Sequence, residues 1–322
     1  GDALSGYYYY QTKVAPLFLQ GTIAADGSFT LTEHPRADTE EGTGPATGSF
    51  TGTFEGKGRA GGVWKSADRK KTFPFSLAES CGTDSVCFTA FQQEEQAALF
   101  PNQAESPFLE MTLALYYPVR YADRSVLEKL RRELARDFPN DPENQLAAWR
   151  DRYVNDYREA NQEFFDPSLD WQFSWVYNND VSVVCNDRNL LSLRFSLYEY
   201  SGGAHGNSYI QYNNYDLQTG ALLSLTDLFS PGSNPRLLGL LERKLRAREQ
   251  IPAGEPLSDH DYFVDSLPLA ETWYIAPDGI GFFYNNYEIR AYAFGPVELF
   301  LSWNELGDLI KPESPVRRLI RP

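Results

Sequence analysis

The sequence predicts an α+β fold in two parts, on three observations. Residues 7–80 alternate apolar and polar side chains between glycine-rich turns and show no helical face. Beyond about residue 90, alternating runs mix with three segments whose apolar residues recur at helical spacing. Those elements do not succeed one another in β-α-β order, so a doubly wound parallel sheet is not expected. The reading is an N-terminal antiparallel β meander or small barrel over 1–90. A mixed α+β domain over 91–322 follows, with about three longer helices packed on antiparallel sheet.

In the first part Phe29 and Leu31, then Phe73, Phe75 and Leu77, alternate with polar neighbours. Phe50, Phe54, Val63 and Trp64 stand among Gly48, Gly52, Gly56, Gly58, Gly61 and Gly62. Period two between turn residues marks paired strands. The polar stretch 34–47 reads as a long exposed hairpin loop. Residues 56–61 match G-x-G-x-x-G, but a dinucleotide site needs a helix after the glycines. Val63-Trp64 and a basic turn follow instead, so a glycine-rich hairpin is expected.

In the second part Leu109, Met111, Leu113 and Leu115 alternate as a strand. Ser125 and Glu128 have capping-box spacing before the helical face Val126, Leu127, Leu130, Leu134 and Phe138. A second helix follows Pro142, with Leu146, Trp149, Tyr153, Tyr157, Ala160 and Phe164 on one face. Trp171, Phe173, Trp175 and Tyr177 alternate as a strand, and Leu191, Leu193, Phe195 and Leu197 as another. Asn234-Pro235 opens a third helix carrying Leu237, Leu238, Leu241 and Leu245. The turn Pro277-Asp278-Gly279 joins two short strands. Val297, Leu299 and Leu301 give the last strand, and 303–310 a short closing helix.

The net charge is −15. It argues against nucleic acid, whose phosphates require clustered Lys and Arg, and against an anionic membrane surface. It favours a cationic partner through steering. The charge is uneven: residues 1–90 hold ten acids and eight bases, and the other 34 acids face 21 bases beyond them. No run of 18 apolar residues spans a membrane. The chain begins at Gly1 and its one methionine is Met111, so a processed form or fragment is expected, with a signal peptide or lipid anchor before Gly1. The three cysteines admit two readings. They are small core residues, or Cys81 and Cys87 form a disulfide closing a small loop in an oxidising compartment.

No Walker loop and no G-x-S-x-G elbow occurs. His34, His205 and His260 are scattered, so no local zinc set is expected, nor any cofactor or catalytic residue. The most distinctive segment is the glycine-rich hairpin tip with Ser201, Gly202, Gly203, His205 and Asn207. It reads either as a structural turn or as a recognition loop rimmed by Tyr198, Tyr200, Tyr209 and Tyr212. Tyrosine supplies contact area at low entropic cost. Tyr287 belongs to a second aromatic cluster, which Asn285-Asn286 interrupts.

Ser201-Gly202-Gly203-Ala204-His205, followed by Tyr215-Asp216-Leu217-Gln218-Thr219-Gly220 and Leu225-Thr226-Asp227-Leu228-Phe229, resembles a known domain. It is shared by RsiV-type anti-sigma factors and the non-catalytic part of PdaC-type peptidoglycan deacetylases. Pro277-Asp278-Gly279-Ile280, Phe283-Tyr284, Tyr287-Glu288-Ile289, Tyr292, Gly295-Pro296 and Leu306 match its closing pattern, so the likeness covers roughly residues 105–312. The resemblance implies a periplasmic or extracellular, lipid-anchored protein and non-enzymatic binding. RsiV-type domains bind lysozyme, so a cationic lysozyme-like muramidase is the partner implied. Signalling and deacetylation do not carry over, because the chain lacks a sigma-binding part and a metal-dependent catalytic domain. Two alternatives stand beside this. One is a peptidoglycan or carbohydrate-fragment binder with Trp171, Trp175, Trp273 or Tyr287 as platforms. The other is a hydrolase whose site is assembled from distant residues, His205 among them.

Overall fold

The computed structural model describes residues 2–10, 13–36, 44–56, 58–80, 82–103 and 105–320. The fold is mixed α+β and mostly sheet, with helices few and short. Three sheets carry it.

The first sheet is an antiparallel half-barrel of six strands in chain order: β1 (Asp2–Tyr10), β2 (Lys13–Ile23), β3 (Ser28–Pro35), β4 (Gly48–Gly56), β5 (Arg59–Ser66) and β6 (Thr72–Ala78). It is a meander; β1 and β6 do not pair among the described residues, so no barrel closes. Glycine lets its aromatics share one face. A Cβ at Gly52 would lie 2.4 Å from the Gly61 carbonyl oxygen and 2.9 Å from the Phe29 ring. Of the loop expected over 34–47, residues 37–43 lie outside the described residues. Arg36 is not exposed as that loop implied. Its guanidinium lies 3.7 Å from the centre of the Phe300 ring, and its Nε donates to Asp278 at 3.3 Å. An arginine both stacked and paired is a strong cross-sheet contact.

The second sheet comprises β7 (Cys87–Ala98), β8 (Phe108–Arg120), β9 (Trp175–Asp187), β10 (Leu190–Tyr200), β11 (Asn207–Asp216) and β12 (Ala221–Leu222), side by side in that order. Its β8–β9 pair is parallel, so the sheet is mixed where an antiparallel one was expected. The cause is the connection: a parallel pair needs a long crossover, supplied by α1 (Arg124–Leu134) and α2 (Pro142–Asn161). Leu109, Met111, Leu113 and Leu115 face these helices and share a core with Val126, Leu130, Leu134, Leu146 and Tyr157. The cap of α1 is Asp123, whose carboxylate accepts from the Ser125 and Val126 amides; the expected Ser125–Glu128 box is not formed. Helix α2 ends at Asn161, so Phe164 leaves the predicted face and is exposed. The run from Trp171 was expected as strand, but 167–173 is a 3₁₀ segment and β9 starts at Trp175.

After the short helix α3 (Leu225–Leu228), helix α4 (Asn234–Glu249) packs Leu237, Leu241 and Leu245 on the third sheet. That sheet is β13 (Thr272–Ala276), β14 (Gly279–Tyr284) and β15 (Val297–Ser302), followed by α5 (Trp303–Leu306). Every residue of β13 and β14 is buried, because both faces are covered.

Four asparagines join elements where the backbone ladder stops. An amide side chain presents one acceptor and one donor, as a peptide group does. Asn179 accepts from the Ala114 amide at 2.7 Å and donates to its carbonyl at 3.2 Å, just where β8 and β9 diverge. Asn186 does the same to Val86, and Asn285 to Ile210 of β11. Asn214 accepts from the Ile275 amide and donates to the Trp273 carbonyl, both at 2.9 Å, joining the second sheet to the third. Asn214 is 2 % exposed. Replacing it with Leu strands two buried backbone groups, each worth about 1–3 kcal/mol. The urea midpoint of Asn214→Leu should fall by the equivalent of about 2–5 kcal/mol, while Gln211→Leu, at an exposed position of the same strand, leaves it nearly unchanged.

Candidate functional site

Alternate residues of β10 point to opposite faces. Leu191 and Leu193 enter the helix-covered core. Arg194, Ser196 and Tyr198 face the other way, opposite Tyr212, Ile210 and Ser208 of β11 and Ser182, Asp180 and Asn178 of β9. Among the described residues no helix covers this face; the third sheet packs on part of it, where Tyr274 and Phe300 meet Tyr212 and Val184. A cleft of about 430 Å³ opens on it, lined by Gln92, Thr112, Asp180, Arg194, Ser196, Tyr198 and Ser208 among others. Asn178 and Asn179 are spent on the backbone of β8. Arg194 hydrogen-bonds the Tyr212 hydroxyl, but neither it nor Asp180 is in an ion pair among the described residues, so neither charge is neutralised within the cleft.

Arg194 also borders a second cavity of about 330 Å³, between the half-barrel and the other two sheets. Arg36, Tyr212, Tyr274 and Glu298 line it. Tyr274 donates a short hydrogen bond to Glu298. Burial first, then the negative field of Glu298, pushes both tyrosines well above the ordinary phenol range, so they remain neutral donors. Burial also raises Asp278, against the pull of Arg36.

The hairpin tip closes the outer end of the cleft. Gly202 and Gly203 both have φ of +92°, and a Cβ on Gly202 would lie 2.8 Å from the Gln172 carbonyl oxygen. The Tyr198 ring lies across Gly206, where a Cβ would meet its hydroxyl at 2.4 Å. Tyr200 donates to the Gly203 carbonyl at 3.2 Å, and Ser201 is exposed. His205 stacks on Tyr292, ring centres 4.2 Å apart, with the Tyr287 hydroxyl 3.4 Å from its Nε2. Asn207 meets Asn286 at 3.3 Å. The segment 287–296 that carries these rings is held from beneath by Arg290, which is buried. It donates to the Gly295 and Pro296 carbonyls and pairs with Glu249 at 3.2 Å.

Of the residues expected to bind, the structure gathers Ser201, Gly202, Gly203, His205 and Asn207 at the tip, with Tyr198, Tyr200 and Tyr287 beside them. Tyr212 is not on this rim: it lies five residues along β11, its ring tilted against Tyr274 with centres 4.7 Å apart in the inner cavity. Among the expected platforms Trp273 is buried, Trp175 packs on Tyr157, and Trp171 and Tyr287 are exposed. Arg194, Asp180, Arg36 and Tyr292 were missed. The leucines of β10 predicted its inner face, and the residues between them already spelled out the polar one. Among the described residues no group of three or more His, Cys, Asp or Glu is placed to hold a metal ion. Cys185 is fully buried with a free thiol, while Cys81 lies outside the described residues.

Two family profiles match the chain. The profile described as deacetylase PdaC matches residues 105–208, and the protein of unknown function DUF3298 matches 226–304. The chain is 25% identical over 141 residues to the peptidoglycan-N-acetylmuramic acid deacetylase PdaC of Bacillus subtilis strain 168. That stretch is 42% of this chain and 29% of the relative, so the chain spans under a third of the curated protein it matches. A crystal structure of a DUF3298 family member from Bacteroides fragilis superposes with a TM-score of 0.67 at 27% identity, covering 74% of this chain and 98% of that one. A DUF3298 family protein from Pseudomonas aeruginosa PAO1 shares the fold at a TM-score of 0.51 and 17% identity, over 75% of this chain and all of that one.

Tyr287 adopts φ of +68° although half exposed. A left-handed backbone costs a residue with a Cβ about 1–2 kcal/mol, and Asn tolerates it best. Tyr287→Asn should therefore leave the melting temperature unchanged or higher. A loss above about 1 kcal/mol would make the ring a packing element.

Proposed function

We propose that this protein is a non-catalytic binding module of the bacterial cell envelope whose ligand is a glycan-containing fragment of peptidoglycan. The observation that carries the reading is the polar stretch of the second sheet that the third sheet leaves open. Among the described residues Arg194 and Asp180 are in no ion pair there, hydroxyls and an amide surround them, and Tyr198 ends the cleft. Such a set of alternating donors and acceptors beside an aromatic ring suits a sugar with its hydroxyl and acetamido groups. The matched deacetylase is named for its action on peptidoglycan, which supports a wall context without transferring its activity. The division into units over 1–90 and 91–322 belongs to this reading, as do placement outside the cytoplasm and a lipid anchor. No helix among the described residues is long and apolar enough to cross a membrane.

A second reading rests on the tip. The rings of His205, Tyr287 and Tyr292 form an aromatic cluster with Tyr287 half exposed, in the part of the chain that holds most of the negative charge. That suits a protein contact with a cationic lysozyme-like muramidase, the partner implied by likeness to RsiV-type domains.

Calorimetry separates the two. Muropeptides should bind the wild-type chain and bind Arg194→Ala about tenfold more weakly, as loss of one charged hydrogen bond implies. If muropeptides give no heat and a cationic lysozyme does, with association slowed by salt and by loss of Tyr287, the tip is the site and the cleft reading fails.

The proposed Cys81–Cys87 disulfide has its own test. Burial pushes the Cys185 thiol up to about 12, with Asp187 adding to it, so it stays protonated and shielded. The native chain should show no reactive thiol. The unfolded, unreduced chain should titrate with one, and the reduced chain with the full three that the sequence contains.

A further inference from the structure

The half-barrel leaves an apolar face uncovered. A sheet ordinarily buries such a face under a second layer, yet among the described residues neither helix nor sheet lies over the concave side of β1–β6. The hollow is about 790 Å³, within the range of small-molecule sites. Phe29, Leu31, Phe50, Trp64 and Phe75 form its floor. Phe73 and Leu77 at its margin are each 55% exposed, and Phe54 is 47% exposed. Exposed apolar surface on this scale marks a binding face.

The hollow is polar at one end only. Cross-strand register sets Glu33 level with Gly48 and Ser66. Lys71, two residues before Phe73 and on the same face, lines the hollow at that end. The Glu33 carboxylate is 3% exposed and already accepts from the Tyr8 hydroxyl, the Thr47 hydroxyl at 2.6 Å and the Trp64 indole at 3.1 Å. Its acceptor capacity is spent inside the protein. Lys71 is in no ion pair among the described residues; Asp68 of the same turn attracts it but pairs with Lys70, and Arg69 adds a further positive charge. The described residues that line the far end, around Phe29, Phe54 and Leu77, carry no charge.

We propose that the half-barrel is a separate binding site for an amphiphile with one acyl tail and an anionic head, the tail lying on the aromatic floor and the head beside Lys71. On a chain of net charge −15, Lys71 gives the anion a favourable end of the hollow. An uncharged tail would gain nothing from Lys71, and a cationic head would be repelled by it.

Hexadecanoate, palmitoyl lysophosphatidylglycerol and uncharged hexadecan-1-ol are titrated separately into the whole chain, below their micelle thresholds, following displacement of anilinonaphthalene sulfonate. One or both anionic amphiphiles should bind at one per chain, and show which source of head group fits. Lys71→Gln should weaken that binding about tenfold and abolish the preference over the alcohol. Gly6 lines the hollow, and a Cβ there would meet nothing within 4 Å. Gly6→Trp therefore fills the site without displacing the fold, and should abolish binding at an unchanged melting temperature. If Gly6→Trp unfolds, Gly6→Val serves as the smaller block. The proposal fails if neither anionic amphiphile binds, if binding survives the blocked hollow, or if the alcohol binds as well as the acid. It fails equally if sedimentation shows a dimer that excludes the probe, because a second copy then covers the face.

Discussion

The fold depends on asparagine amides placed where strands part. A sheet that splits, or meets another at an angle, leaves N–H and C=O groups without ladder partners, and burying those groups unpaired is costly. Asn179, Asn186, Asn214 and Asn285 each supply a donor and an acceptor to a foreign backbone. Because Asn179 takes over from the β8–β9 ladder, the second sheet can open beyond Thr112, and the polar cleft lies at that opening. Asn214 and Asn285 bind β11 to the third sheet, and so fix the hairpin tip against the segment bearing Tyr287 and Tyr292. The binding surfaces are consequences of how these junctions are closed.

Much of this fold was legible because it rests on local periodicity. The leucines of α4, the alternation of β10 and the turn at Pro277-Asp278-Gly279 each report one element, and each stands where the sequence placed it. The failures have a common cause. Strand β7 carries the polar run 92–96 at a sheet edge, where little burial is needed to hold it, so it has no apolar pattern to find. The parallel β8–β9 pair is a statement about chain path, which no single segment encodes. Phe164 keeps helical spacing with α2, yet the helix ends before it, since spacing cannot say where a cap falls. The asparagines were invisible for the same reason. Asn285-Asn286 was noticed as an interruption, but its partner at Ile210 is 75 residues away in sequence.

The candidate site divides along the same line. The glycine-rich tip was legible, since a positive φ is a local demand that Gly202 and Gly203 answer. Its alliance with Tyr292 was not. Tyr212 was grouped with the tip by nearness in sequence, whereas its side chain is five residues further along a strand and belongs to the inner cavity beneath Arg36. Arg36 itself looked like part of a polar loop. Its stacking on Phe300 and pairing with Asp278 carry the half-barrel onto the third sheet, a contact across 242 residues of chain.

Coverage of sheet faces then decides where ligands can act. The third sheet is covered on both sides and shows polar side chains, Tyr274 and Glu298, to the inner cavity alone among those described. The second is covered by α1 and α2 on one side, and its other side carries Arg194, Asp180 and Tyr198 in the open. Among the described residues the concave side of the half-barrel has no second layer, and it is aromatic where the open stretch of the second sheet is polar. The two open surfaces therefore differ in chemistry, which is the physical ground for assigning them different ligands. The asymmetry of charge follows it. The half-barrel, nearly balanced in charge, presents Lys71 beside an apolar hollow, while the acidic remainder surrounds a cleft lined by Arg194 and Asp180. That separation of chemistry by face, more than any single motif, is what the arrangement of the sheets contributes to function.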